Sequence, residues 1–398
     1  MAETILVLNA GSSSIKFQLF AVGGDSGLTR RLKGQVDGIG TRPHLLAKGK
    51  DGETLVDDSW PANAVADVPA ALDKTIAWLQ QQLGGALPSA IGHRVAHGGP
   101  DFSEPTLIDD AVLDRLARLV PLAPLHQPNN LAPIRAIRAR RPELPQVACF
   151  DTAFHRGHSE AAQRYAIPDA LHSEGVRRYG FHGLSYEFIA SSLPRVAPAI
   201  AGGRVVVAHL GSGASMCGIA AGRSIDSTMG FTPLDGVPMG TRCGQIDPGV
   251  LLYLLTTRGW DPARLGHFLY QECGLKGLSG VSNDMRDLLA SDAPLAKLAV
   301  DYFVYRILRE AGALAAAMGG IDGFVFTGGI GENAAPIRAR VCQGLAWLGL
   351  ELDESTNGRH GPRISTAGSR LSAWVVPTDE ERMIARHTNA IRRGRTAA

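Results

Sequence analysis

Two stretches of this chain, ILVLNAGSSSIKFQLF (Ile5–Phe20) and GRVVVAHLGSGASMCGIAAG (Gly203–Gly222), are built alike. Each runs from an apolar strand through a Gly/Ser turn into a second apolar strand. They lie about two hundred residues apart, too far for a solenoid repeat and well suited to a duplicated domain. Neither fits GxxxxGK[ST] and neither turn leads into a helix, so a P-loop is not expected. A turn of Gly and Ser lets backbone N–H groups converge on an anion without side-chain obstruction, and its hydroxyls add donors. A third stretch, FTGGIGEN (Phe326–Asn333), reads as a strand entering a Gly-rich turn before a helix, a geometry that presents N–H groups to a phosphate. Taken singly, each is an ordinary turn; together the three predict a nucleotide held between two related domains.

The rest of the chain suits such a plan. Its 398 residues are enough for two cores, and 45% hydrophobic with 20% charged residues is ordinary globular composition. A formal charge of +2 gives no reason to expect nucleic acid or a membrane surface as a partner. The five cysteines show no CxxC spacing, which suggests reduced thiols in a cytoplasmic protein. No signal peptide is expected from the N-terminal residues, and no apolar run reaches the roughly 20 residues of a membrane span.

Strands are expected at Ile5–Leu8 and Ile15–Phe20, with a hairpin around LLAKGKDGETLV turning at Asp51-Gly52. VPAALDKTIAWLQQQL, DDAVLDRLARLV and NNLAPIRAIRARR read as helices, while AIGHRVA and PQVACF read as short strands. Later come a long helix at APLAKLAVDYFVYRILREAGALAAAM, the strand GFVFTGG, a helix after GIGENAAP, and a final helix from TDEERMIARHTNAIRR that returns to the first domain. The fold class is therefore α/β. One domain is expected at 1–150 with about 379–398, and the other at 151–378.

Seven motifs, NAGSSSIKF, GHRVAHGG, FDTAFH, RRYGFHG, GTRCGQIDPG, FTGGIGEN and PTDEE, resemble the acetate kinase family in order and separation, from Asn9 to about Ala385. The resemblance implies two duplicated ribonuclease H-like domains of the actin-like ATPase type flanking a central cleft, usually in a homodimer. It implies reversible phosphoryl transfer between ATP and acetate, with Mg²⁺ or Mn²⁺, giving acetyl phosphate and ADP. Such chemistry asks mainly for positioning and neutralisation of spreading negative charge, which suits arginine's permanent forked cation. By resemblance, Arg94 holds the carboxylate, Arg242 and His182 stabilise the transferring group, and His126 joins the active site.

Asp151 matches the position treated as proton donor or acceptor. A simple carboxylic acid ionises near about pH 4–5, so acetate needs no base at neutral pH, and Asp151 is as readily an orienter of Arg94 or of a metal-bound water. Asn9 and Glu380 match metal-associated positions. Lys16, the run His209, Leu210, Gly211, Ser212 and Gly213, the run Asp284, Met285 and Arg286, and the run Gly329, Ile330, Gly331, Glu332 and Asn333 match ATP positions. Ala96, Leu125, Phe181 and Pro233 match the wall around the acetate methyl.

Four departures accompany the match. Ser212 replaces an Asn, Gln245 stands where Asp is common, HGLSY replaces HGTSH after His182, and Ala96 replaces a frequent Val. The third removes a hydroxyl and an imidazole near His182. The fourth enlarges the methyl wall and predicts better use of propionate, because a methylene is worth only about 1–3 kcal/mol of discrimination. The alternatives are a propionate or butyrate kinase of the same superfamily, a nucleotide-driven conformational protein, and a catalytically impaired nucleotide-binding paralogue.

Overall fold

The computed structural model describes residues 3–11, 13–23, 27–124 and 126–394. It divides into two compact units, Met1–Ala153 with Asp379–Ala398, and Phe154–Thr378.

The first unit is built on eight strands: β1 (Thr4–Ala10), β2 (Ile15–Val22), β3 (Leu28–Asp37), β4 (His44–Gly49), β5 (Thr54–Ser59), β6 (Ala90–Val95), β7 (Thr106–Leu107) and β8 (Gln146–Phe150). They are ordered β5-β4-β3-β2-β1-β6-β8-β7, with β1, β6 and β8 parallel neighbours and the other pairs antiparallel. Central β1 is buried along almost its whole length, as a strand covered on both faces must be. The outer strand β5 carries Asp57 and Asp58, whose charges blunt an open edge. The hairpin expected at Asp51-Gly52 is the β4–β5 pair.

On one face, Leu6, Leu8 and Ile91 pack into a core shared with the helix Val68–Gln82, whose N-terminus is capped by Asp67 accepting from the Ala70 N–H at 2.9 Å. On the other, the side-chain-free Gly92 admits Ile384 and Thr388 of the final helix, Glu380–Arg392. That helix packs on β1, β6 and β8, so the C-terminal segment belongs to the first unit.

The second unit holds β9 (Arg204–Leu210), β10 (Ala214–Ala220), β11 (Arg223–Ser227), β12 (Gly323–Thr327) and β13 (Ser372–Val375), in the order β11-β10-β9-β12-β13. Three antiparallel strands followed by two parallel ones repeat the run β3-β2-β1-β6-β8. The duplication visible in the two Gly/Ser turns therefore extends to a run of five strands in each sheet. The helix Pro294–Ala317 buries Ala296, Ala299, Val300, Phe303, Ile307, Ala311 and Leu314, a stripe of helical period, against this sheet.

One local expectation is corrected. The Gly-rich segment after β12 is not a turn before a helix but a helix, Gly328–Asn333, followed by a second at Ala335–Gly344. Gly328 makes the sharp entry at φ +76°, and the Glu332 carboxylate accepts its N–H at 2.9 Å.

Candidate active site

In the first unit, the carboxyl ends of three neighbouring parallel strands bring Asn9, Arg94 and Asp151 together. The pairings Leu8 with His93 and Arg94 with Cys149 set Asn9 and Arg94 on one tier, and Asp151 follows β8 directly. Ligands of α/β sheets characteristically sit at such ends. Asp151 is buried, and its carboxylate accepts from Arg94 Nε at 3.0 Å and Nη2 at 2.6 Å. The third guanidinium nitrogen, Nη1, donates to Asn9 Oδ1 at 3.4 Å. Glu380, in the first turn of its helix, lies 4.0 Å from Arg94 Nε with its side chain 16% exposed. Burial pushes the Glu380 carboxyl up to about 7, with the charges of Asp151 and Glu381 adding to it, against the pull of Arg94 and Lys16. Burial opposes the Arg94 charge, but Asp151, Glu380 and Glu381 hold it above its ordinary value.

Lys16 is exposed on β2, opposite Asn9 in the strand register, and its charge reaches Glu380. The structure thus puts it with the carboxylates of the first unit, while the other residues expected to hold ATP lie in the second. Ala96 is buried, its N–H donating to Asn130 Oδ1 at 2.9 Å, while Asn130 Nδ2 donates to Ala10 O at 2.8 Å. Asn130 therefore ties the loop after Arg94 to the end of β1. His126 is half-buried and directly precedes the helix Gln127–Arg140; Leu125 lies outside the described residues.

In the second unit, His182 begins the helix Gly183–Val196 in a left-handed conformation, φ 56°, uncommon for a residue with a Cβ. Its Nδ1 shares a 2.8 Å hydrogen bond with Ser215 Oγ, which also lies 2.5 Å from the Tyr186 hydroxyl. The ring stacks on His209, centroids 4.4 Å apart, and His209 Nδ1 meets Ser185 Oγ at 2.8 Å. Arg242 Nη1 donates to Pro233 O at 2.7 Å. Arg242 and His182 converge on the turn between β9 and β10: a Cβ on Gly213 would fall 3.0 Å from Arg242 Nη2 and 3.4 Å from His182 Nε2. Phe181 is buried in the core of this unit and Pro233 is buried beside Arg242.

A cavity of about 570 Å³ opens next to this turn. Gly211 and Ser212, Asp284 to Arg286, and Gly329, Ile330 and Asn333 all line it, so three expected segments meet. Asn283, Leu289, Ala334 and Pro336 complete the lining. Leu210 is instead a core residue, and the Glu332 carboxylate is turned onto the N–H groups of Gly328 and Thr378, at 2.9 and 3.2 Å. Arg338, fully buried, donates to Gly331 O at 3.0 Å and Glu332 O at 2.9 Å. Gly331 and Glu332 therefore shape the segment that the cavity uses.

Residues 4–386 match the acetokinase family. The chain belongs to that family. It is 63% identical to an acetate kinase of Nitrobacter hamburgensis, over 97% of this chain and 95% of the relative, and 59% identical to one of Rhizobium meliloti, over 98% of each. Among solved structures it resembles a propionate kinase from Francisella tularensis (TM-score 0.90, 36% identity, 97% of this chain and 99% of that one). It also resembles the acetate kinase of Porphyromonas gingivalis (TM-score 0.87, 37% identity, 98% and 100%).

Within this acetokinase, the departures at 186 and 245 have visible partners. The phenol of Tyr186 reaches Ser215, so the polar link to His182 is present rather than lost. Gln245 Oε1 accepts from Arg306 Nη2 at 2.8 Å, and Arg306, itself buried, also pairs with Glu310 at 3.2 Å. Sequence reasoning missed Asn130 and Ser215, whose hydrogen-bond partners are distant in sequence, and Arg338, which bonds the helix before it and Asn357 after it.

Proposed function

We propose that this acetokinase catalyses reversible phosphoryl transfer between ATP and acetate, giving acetyl phosphate and ADP by direct in-line displacement. The observation that carries the reading is the convergence of Arg242 and His182 on the Gly213 turn, beside the cavity lined by Gly211, Ser212, Asp284, Arg286 and Gly329. That cavity holds the nucleotide, with Met285, Leu289, Ile330 and Pro336 as apolar walls for the base. Arg94 receives the acetate carboxylate, and Asp151 fixes the guanidinium through its two hydrogen bonds. An acetate oxygen attacks the γ-phosphorus, the bond to the bridging oxygen breaks, and ADP leaves with those electrons. Arg242 and His182 stabilise the charge spread over the equatorial oxygens, and His126 and Lys16 add donors to phosphate.

Asn9 and Glu380 would hold Mg²⁺, or Mn²⁺ in its place. The donor set fits: an amide oxygen and carboxylates stand close together, and crowded Glu380 would be relieved by a cation. Bound there, the ion supplies charge neutralisation on the phosphates. The enzyme works in the cytoplasm as a homodimer. Val250, Leu252, Tyr253, Leu295, Leu298 and Tyr305 of the second unit are exposed apolar residues on two helices, and burying them in a second copy would account for them. Among the described residues no helix is long and apolar enough to cross a membrane. Sedimentation at two concentrations tests the dimer.

A second reading, propionate as the preferred acid, has Ala96 in its favour: a small buried side chain at the expected methyl wall. Trapping acyl phosphate with hydroxylamine, with ATP, Mg²⁺ and acetate, propionate or butyrate in parallel, tests both. Fastest turnover with acetate supports the first reading. A propionate preference that Ala96→Val reverses by about tenfold, within the 1–3 kcal/mol available to a methylene, supports the second. No acyl phosphate from any acid refutes both.

A further inference from the structure

Cys243 follows Arg242 directly, and the segment that carries both is laced to Tyr270–Lys276. The Cys273 N–H donates to Thr241 O at 3.1 Å, Leu275 N–H to Met239 O at 2.9 Å, and Lys276 N–H to Gly240 O at 3.0 Å. The Thr241 hydroxyl donates to Tyr270 O at 2.7 Å. Gly274 lies so close that a Cβ on it would fall 2.7 Å from Arg242 O and 2.8 Å from Arg242 N. This lacing sets Cys273 beside the segment that carries Cys243; both are free thiols, and the Cys243 thiol donates to Gly244 O at 3.2 Å. Cys243 is half-buried and Cys273 buried; Cys149, Cys217 and Cys342 are buried as well. The neighbouring Cys273 holds Cys243 below its ordinary thiol range, and Cys243 in turn pushes Cys273 up. A reachable, more acidic thiol beside a resolving thiol is the arrangement of oxidation-sensitive pairs. Phosphoryl transfer has no use for it.

We propose that Cys243 and Cys273 are a peroxide-sensitive modification site whose disulfide displaces Arg242 and suppresses turnover. The Cys243 thiolate attacks a hydroperoxide ROOH: an S–O bond forms, the O–O bond breaks, and the leaving alkoxide takes a proton to give ROH. The Cys273 sulfur then attacks the sulfenic sulfur, the S–S bond forms, and hydroxide leaves with the thiol proton as water. Two thiols lose two electrons and the hydroperoxide gains them, giving one alcohol and one water. A disulfide holds its sulfurs about 2.05 Å apart and its Cα atoms within about 4.4–6.8 Å, so closing it ties the two segments together. Arg242 is the residue adjacent to Cys243 on one of them.

The suppression of activity rests on the kinase reading above; the modification does not. The test treats purified enzyme with hydrogen peroxide, maps peptides by mass without reduction, and measures acyl phosphate formation before and after dithiothreitol. The expected result is one cross-linked peptide pair joining Cys243 to Cys273. Because a misplacement of about 1 Å can cost about 100-fold, a loss of at least about tenfold is expected, restored by the reductant. In Cys273→Ser the cross-link should vanish and dimedone should trap Cys243 as a sulfenic acid. Wild-type peptides that stay unlinked, whether reduced or over-oxidised, overturn the site. A disulfide that forms with activity unchanged overturns the effect on Arg242. Untreated enzyme inactive with every acid, yet forming the disulfide, supports the site and refutes only the kinase reading.

Discussion

Asp151→Asn separates two roles that one carboxylate could play. In the structure both carboxylate oxygens are taken by Arg94, at 3.0 and 2.6 Å, and the group is almost wholly buried. Asparagine keeps one acceptor but sets an NH₂ donor against the second guanidinium donor. One charge-assisted bond is lost, worth about 1.5–3 kcal/mol, and Arg94 loses the nearer of its carboxylate partners. Removing one partner of a buried pair costs about 3–5 kcal/mol. Arg94 is 24% exposed and keeps Glu380 at 4.0 Å, which places the expected loss at the lower end, about 3 kcal/mol. Denaturant unfolding should register that loss. A freed guanidinium that wanders by about 1 Å should lower kcat/KM for acetate by about 100-fold. If Asp151 only orients Arg94, the pH–rate profile keeps its shape in the variant; a proton carrier would take one limb of the profile away. A variant with unchanged stability and kcat/KM within about threefold of wild type, the rate equivalent of under 1 kcal/mol, would refute the orienting role.

Ser215→Ala should lower kcat about tenfold, the equivalent of one hydrogen bond of about 1–1.5 kcal/mol, with KM for ATP unchanged. Tyr186→Phe should lose less; equal KM effects in both would point to the fold instead. Gly213→Ala puts a methyl 3.0 Å from Arg242 Nη2 and should cut kcat while leaving the thermal transition in place, as steady-state kinetics beside circular dichroism would show. Acid should weaken the protein, because burial lowers His93 to about 4 and His158 to about 3 from the ordinary 6.5. Below pH 6.5 the unfolded chain binds protons that these two refuse, so stability falls with pH, each contributing a loss of about 2 kcal/mol by pH 5. The double variant His93→Gln, His158→Gln should flatten that slope in urea titrations at pH 7 and 5; an unchanged slope would sink the assignment.

The sequence was most informative where chemistry and local pattern coincide. The two Gly/Ser hairpins announced a sheet plan that recurs strand for strand, since apolar strands and glycine turns are local properties. Gly211, Asp284 and Gly329 lie far apart in sequence and line one cavity; the resemblance to a family, not any local pattern joining them, singled out their segments. What stayed hidden depends on register and long-range contact. Asn130 resembles any helical asparagine until β1 and the loop after β6 bring Ala10 and Ala96 within its reach. Arg338 carries no local mark, yet its buried guanidinium joins carbonyls of the preceding helix to Asn357. Glu332 sits in a nucleotide-like motif and serves the main chain.

The same distinction bears on whether the departures impair catalysis. The turn that carries Ser212 is held by its main chain, Gly211 N–H to Gly213 O and Gly240 N–H to Ser212 O, both at 3.0 Å. Exchanging an amide for a hydroxyl there changes what reaches into the cavity, not the shape of the turn. Gln245 meets a buried arginine that already has Glu310, so a second carboxylate is not needed to balance it. Tyr186 keeps a hydroxyl on Ser215 where an imidazole is common, and a phenol remains a donor through the neutral range in which an imidazole titrates. His182 Nδ1 is thereby held through Ser215, whose hydroxyl also meets the Tyr186 hydroxyl. A chain drifting toward a nucleotide sensor would have no reason to keep that support. Its presence argues that the exchanges at 186 and 245 are accommodated within a working site, and that any loss of rate should trace to the cavity contact of Ser212 or to the hydroxyl that Leu184 lacks.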